Sequence, residues 1–192
     1  MSKTLLFVDG ENFLHKIKEI VSDEKIGTFK DISNIDFQKL LSSTLPKLKF
    51  SRKLFYAAKI HAHPQTRTKS IQLIELQRRL KANLEKQGFE FIIAGNVRAQ
   101  SIGNKIIFRE KGVDVKIAVD MVSLACDKLL DNAVLCSSDS DLQPAVSELK
   151  RRKVKTVYLG FEAKLNKGLV YTCDETVLFR KFEIIQAIKI KK

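Results

Sequence analysis

Acidic side chains follow two apolar segments of the sequence, at the points where buried strands would end. Asp9 comes directly after the apolar run 4–8, and Asp139 and Asp141 follow the apolar run 133–136. Short apolar runs bounded by turn residues are typical of buried strands. Because parallel strands end at the same edge of a sheet, we expect these carboxylates to lie on one edge.

A further acid, Asp114, opens the most strongly helical stretch of the chain, 113–130. Two ionised carboxylates about 4 Å apart repel each other by about 4 kcal/mol at an effective dielectric constant of about 20. Several converging carboxylates therefore need a cation, and Mg²⁺ or Mn²⁺ suits carboxylate and water ligands. A second ion about 3.5–4 Å away would stabilise both the attacking and the leaving oxygen of a phosphodiester. The predicted metal ligands, directly or through water, are Asp9, Asp114, Asp139 and Asp141.

Helix capping is the structural alternative for these acids, because Asp, Ser and Asn favour the first turn of a helix. We assign Asp36 to that role, and Ser138 or Asp139 could also cap a helix. Capping does not explain why Asp9 ends an apolar strand on the same edge as a second acidic group. We therefore favour a metal site.

The elements that must position the acids alternate between short strands and longer amphipathic helices. Repeated strand–helix units with apolar strands indicate an α/β fold, a Rossmann-like three-layer sandwich whose mostly parallel sheet has helices on both faces. Segments 97–101 and 105–109 flank a turn and are predicted to pair as a hairpin. The pattern predicts the remaining strands at 4–8, 53–58, 89–94, 133–136, 155–159 and 177–179, and helices at 11–20, 36–45, 66–87, 113–130, 141–152 and 166–171.

The composition indicates one domain with a polyanionic partner. A length of 192 residues suits a single domain, which we place at 1–180, followed by a basic tail at 181–192. The net charge of +13 favours nucleic acid. Three cysteines without a CxxC pair argue against disulfides or a zinc site. No apolar run is long enough for a signal peptide or a membrane span, so we expect a cytoplasmic protein.

Three motifs in order along the chain carry a family resemblance. They are LLFVDGEN, KGVDVKIAVDMVSLA and AVLCSSDSDLQP, the last continuing as AVSELKRRKVKTVYLGF. This arrangement resembles the NYN (LabA-like) family of PIN-like nucleases from residue 3 to 161 and into the following segment. The resemblance implies a PIN-like fold and a metal-dependent ribonuclease, and it alone favours RNA over DNA.

The resemblance also implies roles for individual residues. Asn12 matches a polar partner of the acids, and Ser137 matches the first serine after the strand. Ser138 stands where the family usually has Gly, which makes the turn less permissive for positive φ. Asp120 matches an acid in the family's helix, but six residues beyond Asp114 it lies about 240° around that helix. We interpret it as a supporting residue, with direct ligation of the metal as the alternative. The residues matching the family's metal site are Asp9, Asp114, Asp139 and Asp141.

Basic residues near the expected edge are candidates for phosphate contacts. Lys111 lies three residues before Asp114. His61 and His63 follow the second strand, and no Cys or acid lies beside them to complete a zinc set. An ordinary surface role is the alternative for each. The predicted substrate-binding residues are Asn12, Ser137, Ser138, Lys111, His61, His63, Arg67 and Lys69.

We therefore predict hydrolysis of RNA phosphodiesters at a Mg²⁺ or Mn²⁺ site, with RNA or another nucleic acid as partner, no membrane, and a homo-oligomer left open. One alternative is a catalytically inactive nucleic-acid-binding or regulatory module on the same scaffold. Another is a haloacid-type phosphatase, which also has Asp after its first strand. That chemistry normally has a second Asp followed by Thr, whereas Glu11 and Asn12 stand here.

Overall fold

The computed structural model describes residues 2–24, 32–62, 64–102 and 105–188, and seven strands within these ranges form one sheet. The strand order is β4-β3-β2-β1-β5-β6-β7, with every neighbouring pair parallel except β3 and β4. The predicted mostly parallel sheet is confirmed. The strands are β1 (Thr4–Asp9), β2 (Arg52–Lys59), β3 (Glu90–Ile102), β4 (Lys105–Lys111), β5 (Asn132–Cys136), β6 (Lys155–Phe161) and β7 (Glu175–Phe179).

Helices cover both faces of this sheet, which confirms the three-layer α/β sandwich. One face packs around Phe13, Phe37 and Leu84, and the other packs around Ile117 and Val146. None of the helices in the described ranges is long and apolar enough to cross a bilayer. The helices are α1 (Gly10–Asp23), α2 (Phe37–Thr44), α3 (Arg67–Lys86), α4 (Val113–Cys126), α5 (Gln143–Arg151), α6 (Lys167–Thr172) and α7 (Lys181–Ala187).

The largest differences from the predicted boundaries concern β3 and α4. Segment 97–101 does pair with the following strand, but it continues β3 without a break from Glu90 to Ile102. The helix predicted to reach residue 130 ends at Cys126. Lys128 has a φ of 56°, and a left-handed residue just beyond a helix stops it and lets the chain turn.

The first part of the predicted basic tail folds onto the domain as α7. Ile184 and Ala187 are both fully buried. The Ala187 carbonyl accepts a hydrogen bond from the Asp36 backbone N–H, and the Glu183 carboxylate accepts one from the Thr44 hydroxyl. These contacts attach α7 to α2. Residues 189–192 of the predicted tail lie outside the described residues.

Gly10 allows α1 to begin directly where β1 ends, because a Cβ at this position would overlap the Tyr56 carbonyl oxygen and the Phe55 ring. Both are buried parts of β2, so neither can easily move. We expect Gly10→Ala to lower the free energy of unfolding by about 1–3 kcal/mol in urea denaturation. Gly168→Ala is the control, since its Cβ would meet only the flexible Gln143 side chain. Equal losses for both variants would contradict this explanation.

Candidate metal centre

Strands β1 and β5 are neighbours in the sheet and end at the same edge. Val8 pairs with Cys136, so Asp9 and Ser137 leave their strands side by side. Asp9 is only 3% exposed, and its Oδ2 accepts a hydrogen bond from the Ser137 hydroxyl over 2.9 Å. The two strand ends are thus joined through a buried carboxylate.

Asn12 provides the remaining contacts of the Asp9 carboxylate. Its backbone N–H donates to Asp9 Oδ1 over 3.1 Å, and its side-chain Nδ2 donates to Asp9 Oδ2 over 2.6 Å. The Ser138 hydroxyl in turn donates to the Asn12 side-chain oxygen. Burial raises the pKa of Asp9, the hydrogen bonds from Asn12 and Ser137 oppose this rise, and the charge of Asp139 adds to it. Asp9 therefore caps α1 and links it to the end of β5.

Three further carboxylates converge in front of this pair of strand ends. Asp114, Asp139 and Asp141 each offer an oxygen, and these atoms all lie within 4.8 Å of one another. Asp114 and Asp139 are half-buried, whereas Asp141 is exposed. Oxygens bound to one Mg²⁺ at about 2.1 Å are at most about 4.2 Å apart, so small side-chain rotations would complete a common site. The donor set fits a hard divalent cation.

The turn after β5 fixes Asp139 through hydrogen bonds within and beyond the turn. The Asp139 backbone N–H donates to Ser137 Oγ over 3.1 Å, and Asp139 Oδ1 accepts from the Asp141 backbone N–H over 2.9 Å. Asn166 Nδ2 donates to the Ser138 carbonyl over 2.8 Å, which ties the turn to the loop after β6. Asp139 therefore does cap the helical turn that follows it, as the alternative explanation predicted. Its carboxylate also belongs to the converging group of three, so the two roles occur together.

Asp114 reaches the site through the break between β4 and α4. Gly112 has a φ of 93°, a left-handed conformation that favours glycine, and α4 starts at the next residue. Lys111 ends β4 opposite Asn96 of β3. Lys111, Gly112 and Asp114 line a cavity of about 550 Å³ together with Asp9, Glu11, Asn12, His15, Glu110, Val115 and Asp139. We call it the acidic pocket.

Glu110 also lines the acidic pocket, although no sequence motif indicated a role for it. Burial raises the pKa of Glu110, and the charge of Glu11, a hydrogen bond to the Glu11 carboxyl and the charge of Asp9 all add to the rise. In the sequence, Glu110 stands between Arg109 and Lys111 at the end of the second hairpin strand. Charges of alternating sign are typical of a solvent-exposed segment. Only the antiparallel return of β4 to the sheet edge brings it to the acids.

This raised pKa makes the stability of the metal-free protein depend on pH. A carboxyl with a raised pKa in the folded state stabilises the fold fully below its ordinary pKa of 4.5, and this contribution is lost as the pH rises towards the raised value. We therefore expect Glu110→Gln to become more stable relative to wild type between pH 5 and pH 8, in urea denaturation with EDTA. Glu75→Gln, which removes a carboxylate from the exposed pair with Arg79, should give a constant difference. A constant difference for Glu110→Gln would contradict the prediction.

Asp120 lies outside the group of converging carboxylates. Its Oδ2 accepts a hydrogen bond from the buried Tyr56 hydroxyl over 3.0 Å, and its Oδ1 pairs with Lys116 Nζ over 2.5 Å. The Tyr56 contact joins α4 to β2, whereas the Lys116 contact lies within α4. Both contacts agree with a supporting role for Asp120, which stays a prediction.

The predicted phosphate contacts His61, Arg67 and Lys69 do not line the acidic pocket. His61 is exposed, with its Nε2 3.2 Å from the Asn96 side-chain oxygen, and Arg67 is an exposed residue at the start of α3. The Lys69 ammonium lies 5.9 Å from the centroid of the Phe108 ring. In the part of the chain that the structure describes, the walls of the acidic pocket include none of these three side chains. Their contacts with substrate therefore stay predictions. His63 lies outside the described residues.

Comparison with known proteins agrees with this architecture. The fold is similar to the crystal structure of a protein of unknown function from Vibrio parahaemolyticus RIMD 2210633, with a TM-score of 0.61, 20% sequence identity and coverage of 92% of each chain. This likeness shows the fold alone. A search of curated proteins finds no significant match. The family model described as NYN domain matches residues 3–180, nearly the whole chain, and the protein therefore belongs to the NYN domain family.

Proposed function

We propose that this protein is a divalent-metal-dependent ribonuclease that hydrolyses RNA phosphodiester bonds. The NYN domain family is nuclease-like, of the PIN-like type. The observation that carries the proposal is the convergence of Asp114, Asp139 and Asp141 within 4.8 Å at one end of the sheet. Carboxylates brought together in this way repel each other unless a cation neutralises them.

In this proposal Asp114, Asp139 and Asp141 would hold Mg²⁺ or Mn²⁺. A bound ion would lower the pKa of a coordinated water and neutralise negative charge on the phosphodiester oxygens. Asp9 lines the same pocket and would ligate the ion directly or through water, and the hydrogen bonds from Asn12 and Ser137 fix its orientation.

Positive charge outside the three carboxylates would hold the RNA backbone. Lys111 lines the acidic pocket and supplies a cation beside the proposed metal ligands. The chain as a whole carries a net charge of +13, which attracts a polyanion and makes its binding sensitive to salt. An acidic metal site on a basic protein matches the two requirements of a nuclease, since the cation needs carboxylates and the phosphates need basic side chains.

Incubation with labelled single-stranded RNA tests the proposal. We expect cleavage with Mg²⁺ or Mn²⁺, no cleavage with EDTA, and slower cleavage of DNA with the same sequence. Binding of the RNA without any metal-dependent cleavage would contradict the proposal and favour the inactive binding module. Hydrolysis of a small phosphomonoester in place of RNA would favour the phosphatase.

A further inference from the structure

A second cavity adjoins the acidic pocket and has a different character. It has a volume of about 470 Å³ and lies between α1, α3 and the strands β2, β3 and β4. Glu11, His15 and Glu110 line both cavities, so the two share a wall made of these three side chains. Its volume lies within the range of about 300–1,000 Å³ that is typical of sites for small ligands or single ligand groups.

Most side chains that line this second cavity are apolar. Leu73 and Leu76 contribute from α3, and Phe91 contributes from β3. The Phe91 ring stacks on Phe55, with 5.5 Å between centroids and 19° between planes, which holds it in place. Phe108 of β4 adds a second aromatic ring. We call this the apolar cavity, and aromatic and leucine side chains of this kind suit the flat π-face of a group such as a nucleobase.

Cationic side chains also line the apolar cavity. Lys18 of α1 and Lys69 of α3 both contribute to its walls. The Lys69 ammonium lies 5.9 Å from the centroid of the Phe108 ring. A ligand that occupies this cavity therefore meets apolar surface inside, ammonium groups in the wall, and the proposed metal ligands across the shared wall. A nucleotide carries a flat base joined through a ribose to anionic phosphates, and it matches this sequence of environments.

We propose that the apolar cavity binds the nucleobase of an unpaired RNA nucleotide next to the phosphodiester that is cleaved. This inference rests on the ribonuclease function proposed above and names its substrate class. A base can enter this cavity only when it is neither paired nor stacked in a helix. The protein would therefore act on single-stranded RNA, with Lys18 and Lys69 near the flanking phosphates.

Binding measured in EDTA, which prevents cleavage, tests the base-binding step by itself. Fluorescence anisotropy would compare a labelled short oligouridylate with an abasic oligoribonucleotide of the same length. Stacking of one base predicts that wild type binds the oligouridylate about tenfold more tightly. Leu73→Phe and Leu76→Phe would fill the cavity and remove this preference. Ile71→Phe is the matched control, because Ile71 is 48% exposed on the same helix and does not line the cavity, and it should keep the preference.

The inference would be overturned if wild type bound both oligonucleotides equally, or if it bound double-stranded RNA more tightly than the oligouridylate. Retention of the preference by both leucine variants would also overturn it. If circular dichroism shows that these variants are unfolded, the comparison of the two oligonucleotides with wild type tests the inference without them.

A separate cleavage assay with Mn²⁺ distinguishes the two proposals. Cleavage together with base-independent binding refutes only the cavity, whereas base-dependent binding without cleavage refutes only the ribonuclease.

Discussion

Replacement of Asp139 by Asn is expected to lower the rate of Mn²⁺-dependent RNA cleavage by at least about 100-fold. Loss of an outer contact to a metal ligand already costs about 10–100-fold in metal affinity or activity, and Asp139 is a proposed ligand itself. Asn is a neutral and weaker ligand. Its side-chain oxygen can still accept the hydrogen bond from the Asp141 backbone N–H, so the turn after β5 should keep its shape. Initial rates with labelled RNA measure the effect.

Asp127→Asn is the matched control for this prediction. Asp127 is exposed at the end of α4 and does not line the acidic pocket. Its replacement changes the net charge by the same amount and should leave cleavage unchanged. If Asp139→Asn cleaved as fast as wild type, with an unchanged circular dichroism spectrum, the proposed role of this carboxylate would be refuted.

Mn²⁺ is expected to raise the melting temperature of wild type by roughly 5–10 °C. This shift assumes a Mn²⁺ concentration of about 100 times the dissociation constant, at which binding stabilises the folded state by about 2.7 kcal/mol. The physical reason is that the cation removes the repulsion among Asp114, Asp139 and Asp141. We expect Asp114→Asn to melt at a higher temperature than wild type in EDTA and to lose most of the Mn²⁺ effect. Thermal unfolding with EDTA or Mn²⁺ provides the measurement.

Asp120→Asn controls for the removal of an acid from the same helix. Asp120 contacts Tyr56 and Lys116 and lies outside the converging group, so its replacement should preserve the temperature rise with Mn²⁺. Two results would contradict the assignment: a full Mn²⁺ effect in Asp114→Asn, or its loss in Asp120→Asn.

The local patterns in the sequence were sufficient to predict most elements of the fold. Each buried strand appears as a compact apolar run, and Asp9-Gly10 correctly indicated where β1 ends. The continuous β3 was harder to predict, because its second half is held by pairing with β4 rather than by any local signal. The helix α7 was also missed. Its segment was interpreted as a basic tail from its charge, although the buried residues Ile184, Ala187 and Ile188 have helical spacing.

The site was predictable where acids follow strands, and less predictable where tertiary packing places them. Asp9 and Asp139 follow β1 and β5, so their proximity was expected from the parallel sheet. The distances among Asp114, Asp139 and Asp141 depend on how α4 packs against α5 and the sheet, which the sequence pattern does not determine. Asp9 lines the pocket beside this group, and its oxygens also accept hydrogen bonds from Asn12 and Ser137, so its role as a metal ligand stays a prediction.

The most direct test of the carboxylate metal site is anomalous diffraction from a crystal of the wild-type protein soaked in Mn²⁺. We predict an anomalous peak among Asp114, Asp139 and Asp141, with manganese–oxygen distances of about 2.1 Å to their carboxylates or to bridging waters. A second peak, if present, should lie about 3.5–4 Å from the first. Well-ordered carboxylates without a peak among them, or Mn²⁺ bound only elsewhere on the protein, would contradict the central claim.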